Sequence, residues 1–110
     1  METAEQFLDR AMKLLQRSDP IPKLLPQIRL GRMPADSPAL TAILDSWLEA
    51  FVQVLKDGQA VLDVGGVLRL DPNPRIDVLV EAGVLAKDHP QIKTLREAWS
   101  EALRAAQQRK

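Results

Sequence analysis

The sequence has no cysteine and a single histidine, His89. Without thiols, disulfides and thiolate metal sites are excluded. One imidazole cannot build a multi-histidine zinc centre, so neither a metal nor any other cofactor is expected. Tyrosine is absent and only two Phe and two Trp occur, too few for an aromatic platform that stacks single-stranded nucleic acid. Net charge is zero, from 15 basic and 15 acidic side chains, which argues against a strongly basic nucleic-acid binder. No apolar run approaches the roughly 20 residues that span a bilayer. The stretch from Met1 to Glu5 is acidic, where a signal peptide is basic and then apolar. A cytoplasmic location without a membrane is therefore expected. No GxxxxGK or GxGxxG pattern occurs, and Gly65-Gly66 is too short for a phosphate loop.

Apolar residues make up 45% of the 110 positions, enough for a real core and typical of one folded domain spanning 1–110. That core is expected to centre on Pro38 to Asp57. Leu40, Ile43, Leu44, Trp47, Leu48, Phe51, Val52 and Leu55 recur at the one-face spacing of an amphipathic helix. Ser37 is placed to cap the start, Pro38 suits the first helical position, and Gly58 is expected to supply a left-handed exit. The fold class is mainly α, with four to five helices and a short β-hairpin expected near residues 60–71. Residues 1–58 form the helical N-terminal half, and 59–110 hold the hairpin and two helices.

The first helix is predicted over Ala4 to Arg17, with Thr3 and Gln6 in capping-box positions and Phe7, Leu8, Ala11, Met12 and Leu15 as its apolar stripe. Asp9 and Lys13 are spaced for an ion pair. Ser18-Asp19-Pro20 ends the helix. Five prolines between 20 and 38 exclude a long helix, but a short one from Lys23 to Leu30, closed by Gly31, fits the apolar residues there. Two β-prone runs flank Gly65-Gly66, the basis for the hairpin. Asn73 caps a short helix through Ile76, Leu79 and Val80 that stops at Gly83. The last helix starts at His89-Pro90 and runs to about Gln108, with Arg109 and Lys110 at the negative end of its dipole.

Two surfaces have candidate functions. Lys13, Arg17, Lys23, Arg29 and Arg32 form the most basic stretch, with Asp19 as its only acid, and can touch phosphates. Ile92, Leu95, Trp99, Ala102 and Ala106 are spaced 3, 4, 3 and 4, the rhythm of a coiled-coil seam open to a close partner helix. No catalytic set is evident. His89 reads as a turn or capping residue, with Asp88 beside it but no positioned Ser or Cys nucleophile. The carboxylate pairs Asp45/Glu49 and Glu97/Glu101 lack the Glu-x-x-His element of helical metal sites. Both Trp lie on apolar stripes.

Ile21-Pro22-Lys23-Leu24-Leu25-Pro26, then Leu30-Gly31-Arg32-Met33, Asp36, and Ala39-Leu40, Trp47 and Glu49-Ala50-Phe51 open one set of motifs. His89-Pro90-Gln91-Ile92-Lys93, with Leu95 to Trp99 and Leu103-Arg104, makes a second. In this order, over roughly residues 5–107, they resemble the small terminase subunit of tailed bacteriophages. Either Asn73-Pro74 or His89-Pro90 can correspond to the family's last-helix start. The connection from Gly58 to Asp88 is longer than the family's. The resemblance implies a non-catalytic homo-oligomeric ring that recognises double-stranded viral DNA and delivers it to the large terminase subunit during virion assembly in the host cytoplasm. It implies that Lys13, Arg17, Lys23, Arg29 and Arg32 contact DNA. The residues themselves leave open a helical protein-interaction or assembly adaptor acting through the last helix without DNA binding. A helix-turn-helix regulator lacks its basic recognition helix, since Asp45 and Glu49 occupy it. An enzyme has the least support.

Overall fold

The computed structural model describes residues 2–19, 21–34 and 36–109, where every regular element is a helix. Six helices follow in order: α1 Ala4–Ser18, α2 Ile21–Arg29, α3 Pro38–Gly58, α4 Val64–Arg69, α5 Asn73–Glu81 and α6 Pro90–Gln108. The mainly α fold class is as expected.

Helix α3 is the centre. Leu40, Leu44, Trp47, Leu48, Phe51, Val54 and Leu55 are buried along it, and both α1 and α6 pack on it. Trp47 and Phe51 meet edge to face, with ring centroids 5.5 Å apart at 88°. By length and composition alone α3 could also cross a membrane, with a mean hydropathy of 1.2 over its best window. In the fold its apolar stripe is the shared core. The ends of α3 differ from expectation. The Ser37 hydroxyl makes no capping bond. Gly58 stays helical, because the glycines with positive φ among the described residues are Gly31 and Gly83. Gly58 is there for close approach, since a Cβ on it would lie 2.5 Å from Leu62 Cδ1 and 3.2 Å from Phe7 Cε1.

Helix α1 begins with the expected capping box. The Thr3 hydroxyl accepts from Gln6 N–H at 3.1 Å, and the Gln6 side chain accepts from Thr3 N–H at 3.0 Å. It buries Phe7, Leu8, Ala11 and Leu15. Arg10 donates to both Glu2 carboxylate oxygens at 3.0 Å and lies 5.1 Å above the Phe7 ring. These hydrogen bonds hold the Glu2 carboxyl below, and the Arg10 guanidinium above, its ordinary pKa. The predicted terminator Pro20 lies outside the described residues, as does Lys110.

Helix α2 starts two residues earlier than expected and contains Pro26. It closes as foreseen at Gly31, whose φ is 73°. Gly31 N–H bonds Ile28 O and Arg32 N–H bonds Gln27 O, the paired bonds of a Schellman motif. Gly83 ends α5 the same way, through bonds from Gly83 to Val80 and from Val84 to Leu79. Asn73 is the first residue of α5 rather than its cap, and its N–H is taken up by the Asp71 carboxylate at 2.9 Å.

The hairpin near residues 60–71 is absent, and α4 stands in its place. The Asp63 carboxylate caps this helix by accepting from Gly66 N–H at 2.7 Å. A two-residue Gly-Gly hairpin turn of type I′ needs positive φ at both glycines, and neither has it. Gly66 instead lets the backbone approach Leu62, whose Cδ2 would sit 3.1 Å from an added Cβ. Leu62 and Val67 are fully buried, so packing overrides the β preference of the valines.

Candidate functional site

The five predicted phosphate contacts are all exposed. The fold divides them. Lys13 is paired with Asp9 at 3.0 Å. Arg17 at the end of α1 and Lys23 in the first turn of α2 come together on one cleft. Arg29 and Arg32 flank the Schellman turn at the other end of α2. Among the described residues, Arg17, Lys23, Arg29 and Arg32 have no carboxylate within ion-pair distance. Asp19, the only acid of the stretch, is buried and engaged elsewhere. One of its oxygens accepts from Ile21 N–H at 2.9 Å, and the other pairs with Arg75 of α5. Fixing Asp19 in this way leaves the local field to the cations.

The cleft holding Arg17 and Lys23 has a volume of about 440 Å³ and is open along one side. Its walls are Leu24 of α2 with Ala42 and Ile43 of α3, and Trp47 lies at its base. Ile43 is 41% exposed, while Trp47 is 1% exposed. The Trp47 indole N–H has no hydrogen-bond partner. Sequence spacing identified Trp47 as core but carried no signal for this orphaned donor or for the cleft.

The predicted partner seam on α6 faces inward. Ile92, Leu95, Ala102 and Ala106 are buried, with α3 and α4 packed on α6. Trp99 is half-buried, and its N–H donates to Val67 O at 2.9 Å. The small Ala side chains admit a close helix, as expected, but that helix belongs to the same chain. A second chain on this face would have to displace α3.

His89 performs the capping role expected of it. Its Nδ1 accepts from Gln91 N–H at 3.1 Å, which leaves the ring proton on Nε2, 3.8 Å from Asp45 Oδ1. Nδ1 is thereby engaged in structure, and among the described residues no Ser or Thr hydroxyl bonds to the ring. Asp88 does not orient the ring; Asp45 of α3 stands there instead. No three His, Asp or Glu side chains are grouped for a metal ion among the described residues. A groove of about 740 Å³ runs along α6 and mixes signs, with Lys93, Arg96 and Arg104 against Asp88, Glu97 and Glu101, so it selects no charge.

Comparison with known protein families, with curated proteins and with solved structures finds no match to this chain.

Proposed function

We propose that the chain is a non-catalytic DNA-packaging subunit of the small-terminase kind. On this reading it works in the host cytoplasm as a homo-oligomeric ring, holds double-stranded viral DNA by its phosphates and hands it to a large terminase subunit. The observation that carries the reading is the exposed cationic run on α1 and α2, where Arg17, Lys23, Arg29 and Arg32 face no carboxylate and Asp19 is withdrawn into a buried pair. Four phosphate contacts give an affinity whose logarithm falls with log salt at a slope of about −3.6. The test is anisotropy of a labelled 30-base-pair duplex across salt concentrations, alongside native mass spectrometry. A closed ring that binds the duplex with that slope supports the reading. A monomer or dimer without salt-sensitive binding ends it.

A second reading, a protein-interaction adaptor without DNA binding, is favoured by one observation. The cleft between α1, α2 and α3 exposes apolar surface beside two cations. This moves the adaptor surface from α6, where the sequence spacing pointed, to the junction of α1, α2 and α3.

A further inference from the structure

The same cleft has a chemistry that phosphate binding does not use. Leu24, Ala42 and Ile43 offer apolar walls, and Ile43 is 41% exposed on a helix whose neighbouring face is core. A sugar-phosphate backbone gains nothing from these groups. An apolar side chain entering between Leu24 and Ile43 gains burial on both walls.

The rim sets the sign of the occupant. Arg17 and Lys23 stand there without a carboxylate partner. Asp19 also lines the cleft, but its oxygens are held by Ile21 N–H and Arg75. The open side excludes full enclosure of a small ligand and suits one side chain of an elongated partner. The wall formed by α2 fully buries Leu25 alone, while Ile21, Leu24 and Ile28 pack half-buried against the core. Trp47, whose N–H is buried without a partner, also lines the cleft.

We propose that this cleft is the docking site for an acidic amphipathic helix of a partner protein. Leu-type anchors one turn apart would lie on Ile43 and Leu24, and flanking Glu or Asp carboxylates would reach Arg17 and Lys23. The site shares Arg17 and Lys23 with the proposed DNA contacts but differs from them in its apolar walls, while Arg29 and Arg32 do not line the cleft and serve DNA alone.

The test titrates the full-length protein into a fluorescein-labelled 18-residue peptide with Leu at i, i+3, i+4 and i+7 and Glu on its polar face. A second peptide carries Lys in place of Glu, and the 30-base-pair duplex is measured in parallel. The Glu peptide is expected to bind at least tenfold more tightly than the Lys peptide. Ile43→Ser removes the wall without adding charge and should weaken the Glu peptide about tenfold with no change for the duplex. Ile43→Ala is the milder companion and should fall between the two. Circular dichroism melting checks that each variant is folded, which the exposure of Ile43 favours. Arg29→Glu with Arg32→Glu should leave the Glu peptide unchanged, so failure of the DNA reading is scored separately. Equal binding of both peptides, or indifference to both Ile43 substitutions, overturns the proposal.

Discussion

The indole N–H of Trp99 donates to the carbonyl oxygen of Val67 at 2.9 Å, tying α6 to the last turn of α4 across 32 residues. The other tryptophan, Trp47, is more deeply buried, yet its N–H is unpaired. Replacing each in turn by benzothienylalanine keeps the shape and removes the donor. At position 99 stability should fall by about 1 kcal/mol, the net worth of one hydrogen bond. At position 47 it should rise, because an unsatisfied buried donor is removed at a relief of about 1 kcal/mol or more. Urea unfolding of both proteins measures the opposite signs. Trp47→Ala should cost about 3–5 kcal/mol through the cavity it leaves.

Gly58 and Gly65 should respond in opposite ways to alanine. At Gly58 the new methyl meets Leu62 Cδ1 at 2.5 Å, and Leu62 is fully buried and cannot step aside freely. Overpacking of about 1–3 kcal/mol then outweighs a helix-propensity gain of about 1 kcal/mol. At Gly65 the nearest atom is Asp63 Oδ1 at 3.8 Å, so Gly65→Ala should stabilise by about 0.5 kcal/mol. The second result also separates α4 from a hairpin, since alanine at a turn position with positive φ would destabilise.

Asp19 and Arg75 should be coupled far more strongly than Asp9 and Lys13. Asp19 is buried, holds the start of α2 and pairs with a residue 56 positions away. The Asp9–Lys13 pair is exposed on both sides at 3.0 Å. Double-mutant cycles to alanine should give a coupling above about 1 kcal/mol for the first pair. For the second it should be about 0.3–0.5 kcal/mol, the usual worth of an exposed i,i+4 pair.

Glu2 should titrate below free glutamate. Its two bonds from Arg10 favour the charged form, so the folded carboxyl value is depressed. A depressed value means the pair's contribution is fully present above the ordinary glutamate range and is lost as pH falls through the lowered value. The carboxyl carbon shift of Glu2, followed by NMR, should have its midpoint raised toward the ordinary value in Arg10→Ala.

Charge reversal at Arg29 and Arg32 should weaken duplex binding and make the salt slope shallower by about 2, one unit per lost phosphate contact. Reversal at Lys13 should do less, because Asp9 already holds it. Anisotropy at three or more salt concentrations gives the slopes.

Local chemistry along the chain determined most of the helices. The Thr3/Gln6 box, the glycines at 31 and 83 and the His89-Pro90 start act within a few residues, and each ends or begins an element where the sequence places it. The apolar spacing of α1, α3 and α6 likewise marks most of the face that each buries, with Ile43 of the α3 stripe left exposed at the cleft. What covers a face is a different matter. The α6 seam has the rhythm of an intermolecular coil, and only the return of the chain fills it with α3 and α4. Residues 64–69 carry valines and a glycine pair that favour a hairpin by local preference, yet burial of Leu62 and Val67 and the Asp63 cap make a helix. The cleft is wholly tertiary. Arg17, Lys23, Ile43 and Trp47 are up to 30 positions apart and converge only where three helices meet. Hydrogen-bonded turns and caps depend on near neighbours and are written locally, whereas contacts between faces depend on the packing of the whole chain.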